Sequence, residues 1–379
     1  MSEYQYYEFQ AIDRPLTDKE MGELRSYSTR ARITPTSFVN DYSWGKFKGD
    51  VTVWMEKYFD AFLYLANWGA HVLKLRLPFR LLDPATAREY CGDDSDFLRE
   101  KAGKVVLSFV SEDEEGGDWE EDEGQLSSMI SVRAELARGD LRALYLGWLL
   151  RAQTGVLGDE DVEPPLPPGL GQLSASLQSL AEFLRIDGDL VHVAAEASPA
   201  MEDSGLERDE VQAWVGKLAT KVKDELITDL IVDADHALVT ELLQRFLKGR
   251  SAGVTTGATA GRTVGQLLRA AKAYTEERKR IEAEKRAKEK TRREREAATA
   301  REKRLDSLVG REPKLWAEVG ALIATRQPRS YDQVLNLLAD LRDLDARGNG
   351  GDFGLRIEAL RQAHARKPSF IERLTKAGL

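Results

Sequence analysis

From Gln266 to Leu308 the chain runs for 43 residues without a glycine or a proline. Between Glu276 and Arg304 it carries thirteen Lys/Arg and eight Glu, and no apolar residue except Ile281 and alanines. Ala, Glu, Lys and Arg are all strong helix formers. Glu276/Arg280, Glu282/Arg286, Glu284/Lys288 and Glu289/Arg293 stand at i,i+4 with Glu first, an order that stabilises a helix by about 0.2–0.5 kcal/mol per pair. The apolar a and d positions of a coiled coil are missing. The pattern therefore predicts one solvated helix, about 65 Å long if every residue is helical. Such a segment has no apolar face to share with a core, so it separates an N-terminal part of the chain from a C-terminal one.

Alternating charge reads first as a spacer between modules. The second reading is a basic arm of net charge +5 for an acidic partner or for nucleic acid. The residues that would carry it are Arg278, Lys279, Arg280, Lys285, Arg286, Arg292, Arg293 and Arg295. A third reading is disorder, which such compositions also permit.

The charge division supports an electrostatic role. Residues 1–160 have net charge −10, residues 161–260 net −9 and residues 261–379 net +10, so the overall −9 hides an acidic front and a basic tail. That asymmetry allows intramolecular docking, self-association or partners of opposite charge. No apolar run reaches 18 residues and no basic n-region precedes an apolar stretch at Met1, which predicts a soluble chain without membrane contact or signal peptide. A single cysteine, Cys91, excludes an internal disulfide framework and fits a reducing, cytoplasmic setting.

The fold class expected is α+β, mostly α. Residues 1–155 read as an acidic α+β domain. Tyr4–Ile12 alternates as a half-buried strand, with Tyr7, Phe9 and Ala11 on one face. Thr17 to Glu20 is a capping box opening a helix. Ser37–Trp44 alternates again. Val51–Asn67 places Met55, Phe59, Phe62 and Leu63 at helical spacing, with Gly69 as a stop. His71–Leu77 and Lys104–Val110 are further strands, giving a small sandwich with helices on one face of a sheet. Tyr6, Phe38, Tyr42 and Trp44 raise a base-stacking platform, although the element order and the acidic charge differ from an RNA-recognition module. Asp93 to Asp96 reads as a turn and helix N-cap. Glu112 to Glu123 holds nine acidic residues in twelve. It is a solvated loop, a docking site for a basic partner (Glu112, Asp113, Glu114, Glu115, Glu120 and Glu121), or, least in keeping with its glycines, a calcium loop.

Residues 156–172 read as a Pro-rich linker, because Pro164 to Pro168 holds four of the twelve prolines; a polyproline ligand is the alternative, without the flanking Arg. Residues 173–250 form an expected helical bundle, in which Leu190–Ala197 could be strand or helix. Asp233, Asp235 and His236 are the sole cluster of carboxylates with a histidine; as a metal or acid–base site it lacks further ligands, and Asp before an apolar helix is ordinarily a cap. His71, His192 and His364 stand alone. Residues 251–265 read as a Gly/Thr hinge with no phosphate-binding pattern. Residues 266–308 are the charged helix.

Residues 309–379 hold four helical segments, 314–324, 331–344, 353–365 and 369–374, broken by Gln327 to Ser330 and Gly348 to Gly351. Leu335, Leu338 and Leu341 face inward on the second, and Leu355, Ile357 and Leu360 on the third. The result is a solenoid-like helical module. Tyr331-Asp332, Leu335, Leu338, Leu341 to Leu344 and the ending from His364 to Leu379 resemble the C-terminal helical region of some bacterial SWIM zinc-finger proteins, over about seventy residues. The front, through Tyr6 to Leu16, resembles an uncharacterised bacterial protein family. The SWIM zinc ligands are absent, since Cys91 is the sole cysteine, so the resemblance implies the helical scaffold alone.

No catalytic residue, metal site or cofactor is expected, and whether the chain is an enzyme stays open, since a site of dispersed Asp, Glu and Arg would leave no motif. The function expected is a non-enzymatic interaction or scaffold protein, its basic helix meeting an acidic protein partner, a second copy or its own acidic front. The alternative is a nucleic-acid-binding component of a bacterial regulatory or defence complex.

Overall fold

The computed structural model describes residues 4–45, 47–113, 124–201, 207–232, 236–251, 261–348 and 352–379. The protein is of mixed α+β class, 58% helix and 13% strand. It divides into two compact units, residues 1–277 and 278–379.

The first unit is built on a seven-stranded antiparallel sheet of order β2-β3-β1-β4-β5-β7-β6. In chain order its elements are β1 (Gln5–Gln10), α1 (Asp18–Tyr27), β2 (Arg32–Thr34), β3 (Ser37–Tyr42), α2 (Val51–Lys57), β4 (Ala61–Ala66), β5 (His71–Pro78), α3 (Pro84–Cys91), β6 (Leu98–Lys101) and β7 (Lys104–Ser111). Helices α4 (Gln125–Met129), α5 (Ser131–Ala137), α6 (Arg142–Gln153), α7 (Ala175–Phe183), α8 (Gly188–Ala195), α9 (Arg208–Lys217), α10 (Thr220–Val232) and α11 (His236–Ser251) come next.

Helices cover both sheet faces rather than the one expected. On one face Tyr6, Leu63, Leu73, Leu75, Val105, Leu107 and Phe109 share a core with Leu126, Val132, Tyr145, Leu149, Leu177 and Leu190 of the later helices. On the other, Tyr7, Phe9, Phe38 and Phe62 pack with Leu24 of α1 and with Trp54, Met55 and Phe59 at α2. β1 is consequently buried on both sides, not half-buried. The capping box at α1 forms as expected: Thr17 Oγ1 accepts from the Glu20 amide at 3.3 Å, and Glu20 accepts from the Thr17 amide at 2.9 Å.

Val51–Asn67 is not one helix. Asp50 caps the short α2, and Ala61–Ala66 leaves it as β4, paired residue for residue with β1 and β5. An apolar run buried on both faces satisfies helical and extended spacing alike, and pairing decides between them. Gly69 then serves the β4–β5 turn with φ +94°; a Cβ there would clash with the Asp113 carbonyl oxygen. Asp93 to Asp96 is a turn that leads into β6, not into a helix: the Asp94 carboxylate accepts from the Asp96 amide at 2.9 Å. Leu190–Ala197 resolves as helix α8.

The Pro-rich stretch is a packed strap, not an extended linker. Pro164, Leu166, Pro167 and Leu170 are buried, the two leucines within the main core. Prolines carry no N–H, so burying them leaves chiefly carbonyls to satisfy. Tyr90 Oη donates to Pro165 O at 3.0 Å and Ser198 Oγ to Pro167 O at 2.8 Å. Helices α7 and α8 thus share the core of the sheet domain rather than belonging to a separate bundle. α11 joins them through Gln244, whose amide donates to the carbonyls of Leu81 at 2.8 Å and Ala137 at 2.5 Å.

Val264–Leu308 is a single helix, α12. Its first turns belong to the first unit, with Val264, Leu267 and Ala271 in the main core. The second unit contains the remainder of α12 with α13 (Glu312–Ala324), α14 (Pro328–Arg347), α15 (Asp352–Ala363) and α16 (Pro368–Lys376). Leu305, Val319, Ile323, Val334, Leu338, Leu341, Phe370 and Leu374 form its core. Leu355 is 75% exposed, not inward; it lies about 200° round the helix from Ile357, which does pack against that core.

Candidate interaction surface on the long helix

α12 is tied down at each end by buried charge. At its start Arg262 and Glu163 form a two-pronged pair, both contacts 2.8 Å, and Glu163 is fully buried. Tyr145 also donates to Glu163; burial and that carboxylate push its pKa upward. Val162 bridges Thr263, so residues 261–265, expected to end a flexible hinge, are held in place; residues 252–260 lie outside the described residues. His192 stacks on Tyr274 at 4.3 Å, and Thr275 donates to Asp189 at 2.8 Å.

Near its other end α12 meets α14. Asp340 of α14 is fully buried and accepts from Arg301 and, at 2.9 Å, from Arg304. Arg301 reaches Asp343 at 2.7 Å, which holds that carboxyl below its usual range. Arg347 pairs back to Glu302 and, at 3.0 Å, to Asp306. These pairings span some forty residues of sequence, and no local spacing announces them.

Between the anchors, every residue from Glu276 to Ala300 is exposed. The eight expected cationic residues all lie on this stretch. Arg278 pairs with Glu282 at 3.1 Å, Arg293 with Glu289 at 2.7 Å and Arg292 with Glu296 at 3.7 Å. Lys290 approaches Glu294 at 4.0 Å. Lys279, Lys285, Arg286 and Arg295 make no ion pair among the described residues, and Arg280 does have a partner. At 100° per residue the basic and acidic groups fall on all sides of the helix rather than into one cationic stripe. Exposed i,i+4 pairs contribute about 0.3–0.5 kcal/mol each, which supports helicity without consuming the excess charge.

Of the acidic docking residues, Glu112 is exposed and Asp113 half-buried just beyond β7; the Asp113 amide donates to Gly69 O at 3.2 Å. Glu114, Glu115, Glu120 and Glu121 lie outside the described residues, as do Asp233 and Asp235. The base-stacking platform is not formed. Tyr6 and Phe38 are core residues, Tyr42 packs edge-on to Tyr7 at 5.7 Å, and Trp44 alone is open at 80% exposure.

The described histidines are not gathered into a site. His71 Nδ1 lies 2.7 Å from the Phe183 carbonyl and Nε2 receives Arg185 at 2.9 Å, which fixes a neutral ring; burial lowers its pKa. Among the described residues no group of three or more His, Cys, Asp or Glu is placed to hold a metal ion. No helix among them is long and apolar enough to cross a membrane.

The fold and surface thus define an α+β protein that carries a long, charge-laced helix. No family model, no curated protein and no solved structure matches the chain.

Proposed function

We propose that this chain is a non-enzymatic interaction protein whose α12 docks an acidic surface of a protein partner through Lys279, Lys285, Arg286 and Arg295, with Arg278, Arg280, Arg292 and Arg293 beside them. The observation that carries the reading is that a 25-residue stretch, fully solvated, sits between two packed ends. A helix that gives no face to its own core, yet is anchored by buried ion pairs at both ends, is a rigid surface for something else. A protein partner fits better than nucleic acid, because glutamates interleave with the cations on every side and would oppose a phosphate backbone. The single cysteine, which leaves no internal disulfide framework, supports a reducing, cytoplasmic setting; its thiol is buried, and that burial pushes it up to about 11. The SWIM-like reading of residues 309–379 adds a helical scaffold as a second contact surface.

The test uses the full chain and fluorescently labelled acidic peptide, duplex DNA and single-stranded RNA, each titrated with salt. The acidic peptide is expected to bind, and reversing Lys279, Arg286 and Arg295 to Glu is expected to weaken it at least tenfold. Undiminished binding by the triple variant sinks the proposal. Tight DNA or RNA binding, with a log–log salt slope of about −0.7 to −0.9 per phosphate neutralised, would replace it with the nucleic-acid reading.

A further inference from the structure

Lys74 on β5 stands directly across from Ser108 on β7, and its ammonium donates to Ser108 Oγ at 2.9 Å. This is the sheet face that α1 and α2 cover at β3, β1 and β4. Beside that covered part opens a cavity of about 70 Å³, with Thr52, Lys74, Ser95, Arg99 and Ser108 in its wall together with the carboxylates Glu56 and Asp96.

Two cations converge there beside the carboxylates of Glu56 and Asp96. Neither Lys74 nor Arg99 makes an ion pair among the described residues. Burial, and then the repulsion of Arg99, lower the pKa of Lys74, while Asp96 opposes the effect. Glu56 is already matched by Lys101. Ser108 is buried, Thr52 and Lys74 are half-buried, and Arg99 and Ser95 are open at the rim. An ammonium, a forked guanidinium and three hydroxyls around one small space suit a tetrahedral oxyanion, which accepts several charge-assisted hydrogen bonds at once. The volume is far below the roughly 300 Å³ at which pockets for drug-sized ligands begin, so the occupant is a single group rather than a whole nucleotide or sugar.

We propose that this cleft is an anion site that takes one phosphoryl group, either free phosphate or the phosphate of a larger molecule whose remainder stays in solvent at the Arg99 rim. Lys74 and Ser108 hold the inner oxygens, and Arg99 closes over the outer ones. The site lies in the first unit.

The experiment is calorimetric titration of the full chain with inorganic phosphate and, separately, with glycerol phosphate, at constant ionic strength. Saturable binding is expected, weakened at least tenfold in K74M and in R99M and unchanged in R30M, a control at an exposed loop arginine. Equal affinity for the two probes assigns the site to a phosphate carried on a larger molecule, and preference for inorganic phosphate assigns it to the free ion; both uphold the proposal. No saturable heat with either probe overturns it, as does binding that R99M leaves intact. Because Arg99 is exposed, its substitution tests the site even if K74M disturbs the sheet.

Discussion

Glu20 closes the first turn of α1 and accepts two contacts from Arg14, at 2.7 and 2.9 Å. Those guanidinium contacts, helped by the Thr17 amide, lower its pKa to about 2 from the ordinary 4.5. A carboxylate whose pKa falls on folding stabilises the native state above its unfolded pKa. That contribution is lost as the pH falls from about 4.5 towards 2. Glu20→Gln is therefore expected to flatten denaturant-measured stability across this window and to leave its shape above about pH 5 unchanged. Asp340 is a different case, because it is fully buried between two arginines and its removal would strand both beside a core. Neither role is visible along the chain: the Thr17/Glu20 box is legible, but Arg14 as its clamp and Asp340 as the anchor of α12 are set by three-dimensional neighbours.

Among the elements, α6 meets the aromatic side chains of the sheet region at a glycine. At Gly147 a Cβ would come within 2.6–2.8 Å of the rings of Phe97 and Phe109. Gly147→Ala gains helix propensity of about 1 kcal/mol but overpacks a filled core, which costs about 1–3 kcal/mol. The expected outcome is net destabilisation or none, never the stabilisation seen at exposed helical glycines, and urea unfolding reads it. α12 obeys local rules: its bounds, Val264–Leu308, fall within two residues of those expected from sequence at one end and coincide at the other. β4 disobeys them, since Phe59, Phe62 and Leu63 fit a helix until β1 and β5 claim the backbone. The strap around Leu166 is another reversal. Its prolines remove donors that burial would leave unmet, so the same residues that stiffen a linker also suit a packed surface segment.

At the scale of the molecule there are two compact units with separate cores. Leu338 is fully buried in the second core. Leu338→Ala is expected to cost about 2–5 kcal/mol and to lower one of two calorimetric transitions while the other keeps its midpoint. A single cooperative shift of both transitions would contradict two independent cores. The charge division runs along the chain in the same sense, acidic through residue 260 and basic after it, and gives the α12 surface its excess of cations.

Local sequence is enough to specify the mixed α+β class, the long solvated helix, the capping box, and the positions of the tail helices α13 to α16. These depend on intrinsic propensity, on Gly and Pro breaks and on 3.6-residue periodicity, all of which act within a few turns of chain. Tertiary contacts alone determine that helices cover both faces of the sheet, that β4 is extended, that residues 156–172 pack, and that Lys74, Arg99 and Ser108 surround one cleft. Each of those depends on which distant segment arrives alongside. A strand buried on both faces carries no alternation to betray it, and three polar residues on three different strands carry no common spacing.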